Sequence, residues 1–250
     1  MASFRRTLAN MLRAGFPLIH VRTWEEDRTL ETINQIASND ALIKTSRHVY
    51  TWNLLEADDG NEKTDETKPK SLLEFLGRIE LITWPAIIVV YDIHSFFTGN
   101  STDFKMVRML KIIHQKLKSS KEPINILFLS ATVEFPKELE KDIVTIEFPL
   151  PGVQEIEQLL DTMIGENEQR DKIRIDLDPS DKERLVQAAL GLTLREAENA
   201  YSLAMVQDSR LCKDDVDVVL EEKRQIIKRS GLLEYIGGGI KWTKWAAWIY

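Results

Sequence analysis

The sequence predicts an α/β fold: a mainly parallel sheet with flanking helices over residues 1–150, then a small helical, lid-like domain over 151–236. Three observations predict it. Short β-branched runs alternate with amphipathic helical stretches as far as Phe148, the pattern of right-handed crossovers in a parallel sheet. One run, Ala86-Ile-Ile-Val-Val-Tyr-Asp92, is apolar until it ends in a single carboxylate, as expected of a central strand buried on both faces. Beyond Pro149-Leu-Pro-Gly152 the strand signal stops and helical periodicity continues alone.

The chain opens on a helix with Phe4, Leu8, Met11 and Leu12 on one face. Arg5, Arg6 and Arg13, with no acid among the first thirteen residues, also give this stretch a faint transit-peptide character. Phe16–Thr23 reads as the first strand. Thr23 and Glu26 have the spacing of a capping box, opening a helix with Leu30, Ile33, Ile36 and Ala37 on its apolar stripe. His48–Asn53 alternates as a second strand. Glu56–Lys70 is acidic and lacks large apolar residues, so a surface loop is expected. Ser71 and Glu74 cap a helix to about Leu81. Pro85 then sits where a strand begins, its missing N–H least costly there. After Asp92 and a loop holding Gly99 and Asn100, Thr102–Ser119 reads as a helix. Val107, Leu110, Ile113 and Leu117 face inward, and Lys105, Arg108, Lys111 and Lys118 outward. Ile124–Ser130 is a second central strand, ending in a hydroxyl, and Val144–Phe148 a fifth strand. In the second domain, helices are expected at Val153–Ile164, from a Ser180/Glu183 cap to Gly191, from a Thr193/Glu196 capping box, and from Asp214 to a stop at Gly231.

Composition narrows the function. A net charge of −7 argues against a general nucleic-acid coat, so no nucleic-acid partner is expected. One cysteine, Cys212, excludes an intrachain disulfide and a cysteine-based metal site. It fits a reducing compartment. No apolar run is long enough to span a membrane.

A parallel sheet with an acid-ended strand, a hydroxyl-ended strand and a helical lid is the plan of an AAA+ ATPase module. Asp92 falls at the position of a magnesium-supporting acid, Ser130 at that of a γ-phosphate sensor, and Arg195 at that of a second sensor on the lid. The phosphate cradle is absent. A P-loop needs G-x-x-x-x-G-K-[ST] between the first strand and its helix, so that backbone N–H groups and a lysine surround the phosphates. Here the junction reads His20-Val-Arg-Thr-Trp-Glu-Glu-Asp-Arg28. It has no glycine and sets three carboxylates near a helix N-terminus, where they repel a triphosphate. Ile93 also stands where a catalytic acid commonly follows the metal-binding one. Hydrolysis by the usual mechanism is not expected, so no catalytic residue is assigned. Asp92, Ser130 and Arg195 remain as degenerate nucleotide-site positions. A metal-hydrolase reading through Asp92, His94 and His114 lacks any signal bringing His114 to the other two. A Ser-His-Asp hydrolase lacks its G-x-S-x-G elbow.

Several strings resemble the plastid- and cyanobacterial-type AAA+ ATPase family long known as a hypothetical chloroplast reading frame. They are Leu12-Arg-Ala-Gly-Phe-Pro-Leu-Ile-His-Val-Arg-Thr-Trp-Glu-Glu-Asp-Arg28, Tyr91-Asp-Ile-His-Ser-Phe-Phe97, Pro136-Lys-Glu-Leu-Glu-Lys-Asp142, Ala189-Leu-Gly-Leu-Thr-Leu-Arg-Glu-Ala-Glu-Asn199 and Leu220–Glu234. The resemblance covers most of residues 8–235. It implies an N-terminal region without a P-loop, followed in family members by an active ATPase module that uses ATP and Mg. For this chain itself no cofactor is expected. The implied partners are its own C-terminal ATPase module, neighbouring subunits of a homo-oligomer and an unknown protein client. The implied compartment is the cytoplasm, or the plastid stroma for a plastid-encoded chain.

After Tyr235 the chain departs from the family with Ile-Gly-Gly-Gly-Ile-Lys-Trp-Thr-Lys-Trp-Ala-Ala-Trp-Ile-Tyr250. Back-translated and shifted by two bases, Ile240–Tyr250 reads Lys-Met-Asp-Glu-Val-Gly-Gly-Leu-Asp-Leu for suitable codons, the family continuation. Residues 237–250 are therefore expected to be an out-of-frame tail that truncates the protein before its ATPase module. The expected function is a non-catalytic regulatory or assembly module. The alternatives are an ATPase with an atypical site at Asp92, Ser130 and Arg195, or a stand-alone protein that binds a partner through its aromatic tail.

Overall fold

The computed structural model describes residues 1–53, 71–97, 102–132, 135–170, 173–229, 235–236 and 239–240. The expected Glu56–Lys70 loop, the Gly99–Asn100 loop and the tail from 241 lie outside the described residues. The chain divides into two compact units, Met1–Pro149 and Leu150–Tyr250.

The first unit contains α1 (Ala2–Arg13), β1 (Leu18–Arg22), α2 (Glu26–Ala37), α3 (Asp40–Ile43), β2 (His48–Trp52), α4 (Leu72–Arg78), β3 (Ala86–Tyr91), α5 (Phe104–Ser119), β4 (Ile124–Ser130) and β5 (Ile143–Glu147). The strands form a sheet in the order β2-β3-β4-β1-β5, with every pair parallel. β3 and β4 lie inside it, which explains their unbroken apolar runs: every residue of β4 and all but the last of β3 are buried. Because side chains alternate, the two strands feed two cores. Ile88, Val90, Ile126 and Phe128 pack with Leu76 of α4 and Leu110 and Ile113 of α5. Ile87, Val89, Leu127 and Leu129 pack with Leu8 and Leu12 of α1 and Ile33 and Ile36 of α2.

Two local expectations fail in this unit. Thr23 does not cap α2. Its N–H extends the sheet by donating to the Ser130 carbonyl at 3.0 Å. Its buried hydroxyl accepts from the Glu25 N–H and meets the Thr29 hydroxyl, both at 2.9 Å. The helix therefore begins later, at Glu26, with no side-chain cap. α5 likewise begins at Phe104 rather than Thr102, because Asp103 accepts from the Lys105 and Met106 N–H groups.

The second unit contains α6 (Val153–Arg170), β6 (Arg174–Asp176), α7 (Pro179–Ala189), α8 (Leu194–Asp208), β7 (Arg210–Cys212) and α9 (Asp215–Arg229). Its core joins Leu160, Leu185, Tyr201, Leu211 and Val219. Buried Tyr201 donates its hydroxyl proton to the Leu185 carbonyl at 3.1 Å. The unit is not purely helical, as the sequence suggested, because β6 and β7 pair in parallel. α6 continues past Ile164 to Arg170. α7 is capped by Asp178 with Pro179 in its first turn, rather than by Ser180. The Thr193–Glu196 capping box forms in both directions. Gly191, at φ +91°, turns the chain after α7. No described helix is long and apolar enough to cross a membrane.

Candidate functional site at the carboxyl edge of the sheet

All five strands point their carboxyl ends to one rim, where open parallel sheets take ligands. Asp92 stands on that rim. Its N–H donates to the Leu129 carbonyl at 3.0 Å, the last rung between β3 and β4. It then adopts a left-handed conformation, φ 51° and ψ 33°, that turns the chain into a short 3₁₀ turn at Ile93–Phe96. Aspartate tolerates this geometry better than most residues. The side chain is 62% exposed, with Oδ1 3.8 Å from His94 Nδ1.

The first turn of α2 meets the same rim. Thr23-Trp-Glu25 is the whole connection from β1, too short and too bulky to wrap a phosphate. Glu26 is raised above its ordinary value by burial first, then by the charges of Asp92 and Asp27. The Tyr91 hydroxyl is pushed up to about 12, by burial and then by Glu26 and Asp27. Glu26, Asp27 and Asp92 therefore act as one negative corner. The Arg28 guanidinium, one helical turn on, pairs with Glu25, donates to the Pro149 carbonyl at 2.8 Å and lies 4.7 Å from the Phe148 ring centre.

Ser130 is placed differently. It is fully buried at the end of β4, with its hydroxyl already engaged. It donates to the Thr132 carbonyl at 2.8 Å, so it must accept from His20 Nε2 at 2.9 Å. That fixes the neutral Nε2–H tautomer. His20 Nδ1 then accepts from the Thr145 hydroxyl at 3.3 Å, while Phe135 packs edge-on at 5.1 Å. Burial is the main cause that lowers His20 to about 4, against an opposing hydrogen bond at Ser130. Sequence reading missed this buried network. The available signal was a histidine inside an apolar strand, with hydroxyl residues on candidate neighbouring strands.

Arg195 is exposed in the first turn of α8, in the second unit. His114 lies on α5, 3.7 Å from Asp142. Among the described residues no group of three His, Cys, Asp or Glu side chains could hold a metal ion. A magnesium nucleotide does not fit the residues present at the rim. There is no glycine at the β1–α2 junction, the first helical turn is acidic, and the Ser130 hydroxyl is engaged on both sides.

Family models for the SpoVK-like AAA ATPase match this chain, the N-terminal domain at residues 4–148 and the second domain at 154–230. An uncharacterized AAA domain-containing protein ycf46 from Trieres chinensis is 28% identical over 234 residues, covering 93% of this chain and 44% of the relative. Its Guillardia theta counterpart is 25% identical over 236 residues, covering 93% and 43%. The chain thus spans less than half the length of these curated relatives. Among solved structures, Aeropyrum pernix ORC2 in its ADP form superposes with a TM-score of 0.54 at 14% identity, over 88% of this chain and 67% of that one. Caenorhabditis elegans PCH-2 gives 0.52 at 11% identity, over 91% and 68%. These likenesses establish the fold. With both family models matched along one parallel sheet and its helical second unit, the chain belongs to the SpoVK-like AAA ATPase family.

Proposed function

We propose that residues 1–150 and 151–236 form a non-catalytic front part of an AAA+ ATPase, with a regulatory or assembly role beside a separate ATPase module. The observation that carries this reading is the negative corner of Glu26, Asp27 and Asp92, standing where a phosphate cradle would have to lie. A triphosphate brought there meets like charge at a helix start, where backbone N–H groups and a lysine would otherwise receive it. Asp92, Ser130 and Arg195 are then vestiges of a nucleotide site, and ATP and Mg belong to the rest of the protein. Its partners are that ATPase module, neighbouring subunits and a protein client, in the cytoplasm or the plastid stroma.

A phosphate-release assay on the purified chain with MgATP tests the reading. The expected result is no release above background, unchanged in Asp92→Asn. Turnover that disappears in Asp92→Asn favours an atypical ATPase site instead.

A further inference from the structure

α5 carries no acidic residue, in a chain of net charge −7. At about 3.6 residues per turn, Phe104, Lys105, Arg108, Ile112 and Lys116 form one stripe, opposite buried Met106, Leu110 and Ile113. Lys111 lies off this stripe, half-buried and held by Asp142 at 3.2 Å. Lys105 and Arg108 are exposed, and among the described residues neither side chain is ion-paired. Phe104 is 75% exposed, and Ile112 is half-buried between the cations.

A solvated helix face is polar throughout. This one mixes cations with an aromatic and an aliphatic side chain, the composition of a protein contact, where aromatic residues and arginine carry most of the binding energy. The stripe is short, about 18 Å from Phe104 to Lys116. Its length and its mixture select the occupant. A nucleic-acid duplex answers the cations but gives Phe104 and Ile112 no apolar partner. A flat anionic bilayer extends far past the stripe and meets the negative charge of the whole chain. A short acidic peptide segment with apolar side chains of its own covers both kinds of residue and reaches no further.

We propose that the outward stripe of α5 docks an acidic segment of a partner protein, one that carries apolar side chains among its carboxylates. It rests on the protein client of the function proposed above, and gives that client's docking segment a chemistry. Lys105, Arg108 and Lys116 receive the carboxylates, and Arg108 can take one in bidentate fashion. Phe104 and Ile112 receive the apolar side chains, which lose their contact with water on docking. The cations speed the encounter and reject basic partners. The apolar contacts separate a fitting acidic segment from one that is merely charged.

Fluorescence anisotropy on the full chain tests this with a labelled synthetic peptide of about twelve residues, the length of the stripe. Half of its residues are Asp or Glu, with phenylalanine and leucine at helical spacing. Polyglutamate of the same length, a labelled DNA duplex and vesicles of phosphatidylserine in phosphatidylcholine are the comparators. Two variants follow, Lys105→Glu with Arg108→Glu, and Phe104→Ala. All three positions are exposed, and circular dichroism melts verify folding. The peptide is expected to bind saturably, about tenfold or more weakly in the charge-reversed variant and several-fold more weakly in Phe104→Ala. Polyglutamate is expected to bind more weakly than the peptide and equally to wild type and Phe104→Ala. No binding of the peptide overturns the proposal, as does equal binding to both variants and wild type. Polyglutamate that matches the peptide, with Phe104→Ala silent, reduces the stripe to a solvated charged face. A duplex that binds more tightly than the peptide, and is lost with Lys105 and Arg108, assigns the stripe to nucleic acid; vesicles that do the same assign it to a lipid surface. The phosphate-release assay decides the non-catalytic reading separately, so that reading stands or falls without this contact.

Discussion

The two ends of one sheet treat charge in opposite ways. At the amino end, Arg47 is only 7% exposed, yet its guanidinium is held by the Asn125 side chain and by the Leu12 carbonyl at 2.9 Å. Asn125 in turn donates to the Phe16 carbonyl at 2.6 Å. α1, β4 and the turn before β1 are thereby tied together by one cation. At the carboxyl end, three carboxylates share a rim, and burial together with the charges of Asp92 and Asp27 raises the proton affinity of Glu26. The same domain thus gives a buried cation two acceptors, with its Nε left unpaired, but leaves its acids facing solvent. The amino end serves the fold. The carboxyl end opposes it slightly.

The largest effect is expected at the amino end. Arg47→Ala leaves the Asn125 oxygen without its guanidinium donor, leaves the Leu12 carbonyl only the Gly15 N–H at 3.3 Å, and removes a buried side-chain stem. A loss of about 3 to 4 kcal/mol in urea unfolding is expected. A loss below about 1 kcal/mol would mean that the tie contributes little.

Next comes His20. Its folded value of about 4 lies below the 6.5 of an unfolded histidine, so the folded state holds fewer protons between those limits. The stabilisation is complete above pH 6.5 and is lost as the pH falls toward 4, by about 3 kcal/mol in all. Unfolding free energies measured across this window should fall more steeply in the wild type than in His20→Gln. Equal slopes would contradict a neutral buried His20.

Ser130→Ala removes the acceptor for His20 Nε2 and should cost about 1 to 2 kcal/mol by the same unfolding measurement. The smallest change belongs to the carboxyl corner and carries the opposite sign. Asp92→Asn keeps a residue that tolerates positive φ and removes one of three like charges. A gain of a few tenths of a kcal/mol at low salt is expected, shrinking as salt is added. Destabilisation by Asp92→Asn would break the contrast between the two ends.

The sheet was legible because its signals are long and redundant. Ile124–Ser130 is a strand in both readings, since seven consecutive buried residues leave little choice. The place of Asp92 followed from the strand before it, and the missing phosphate cradle from a junction without glycine. What escaped was set by tertiary partners. Thr23 has the local spacing of a helix cap, but its N–H is claimed by Ser130 across the sheet. His20, Ser130 and Thr145 are 125 residues apart at the extremes and meet only through strand order. β6 and β7 are three residues each, too short for a period-2 pattern to register. In α7 the pair Asp178-Pro179 was the better start signal, because proline suits the first helical turn.

Calorimetric titration of the chain with MgATP, beside the same titration of Asp92→Asn, tests most directly whether the carboxyl rim has ceased to be a nucleotide site. The expected result is heat of dilution alone for both proteins. Saturable binding to the wild type that is lost in Asp92→Asn would contradict it, and would return Asp92 to the support of a bound magnesium nucleotide.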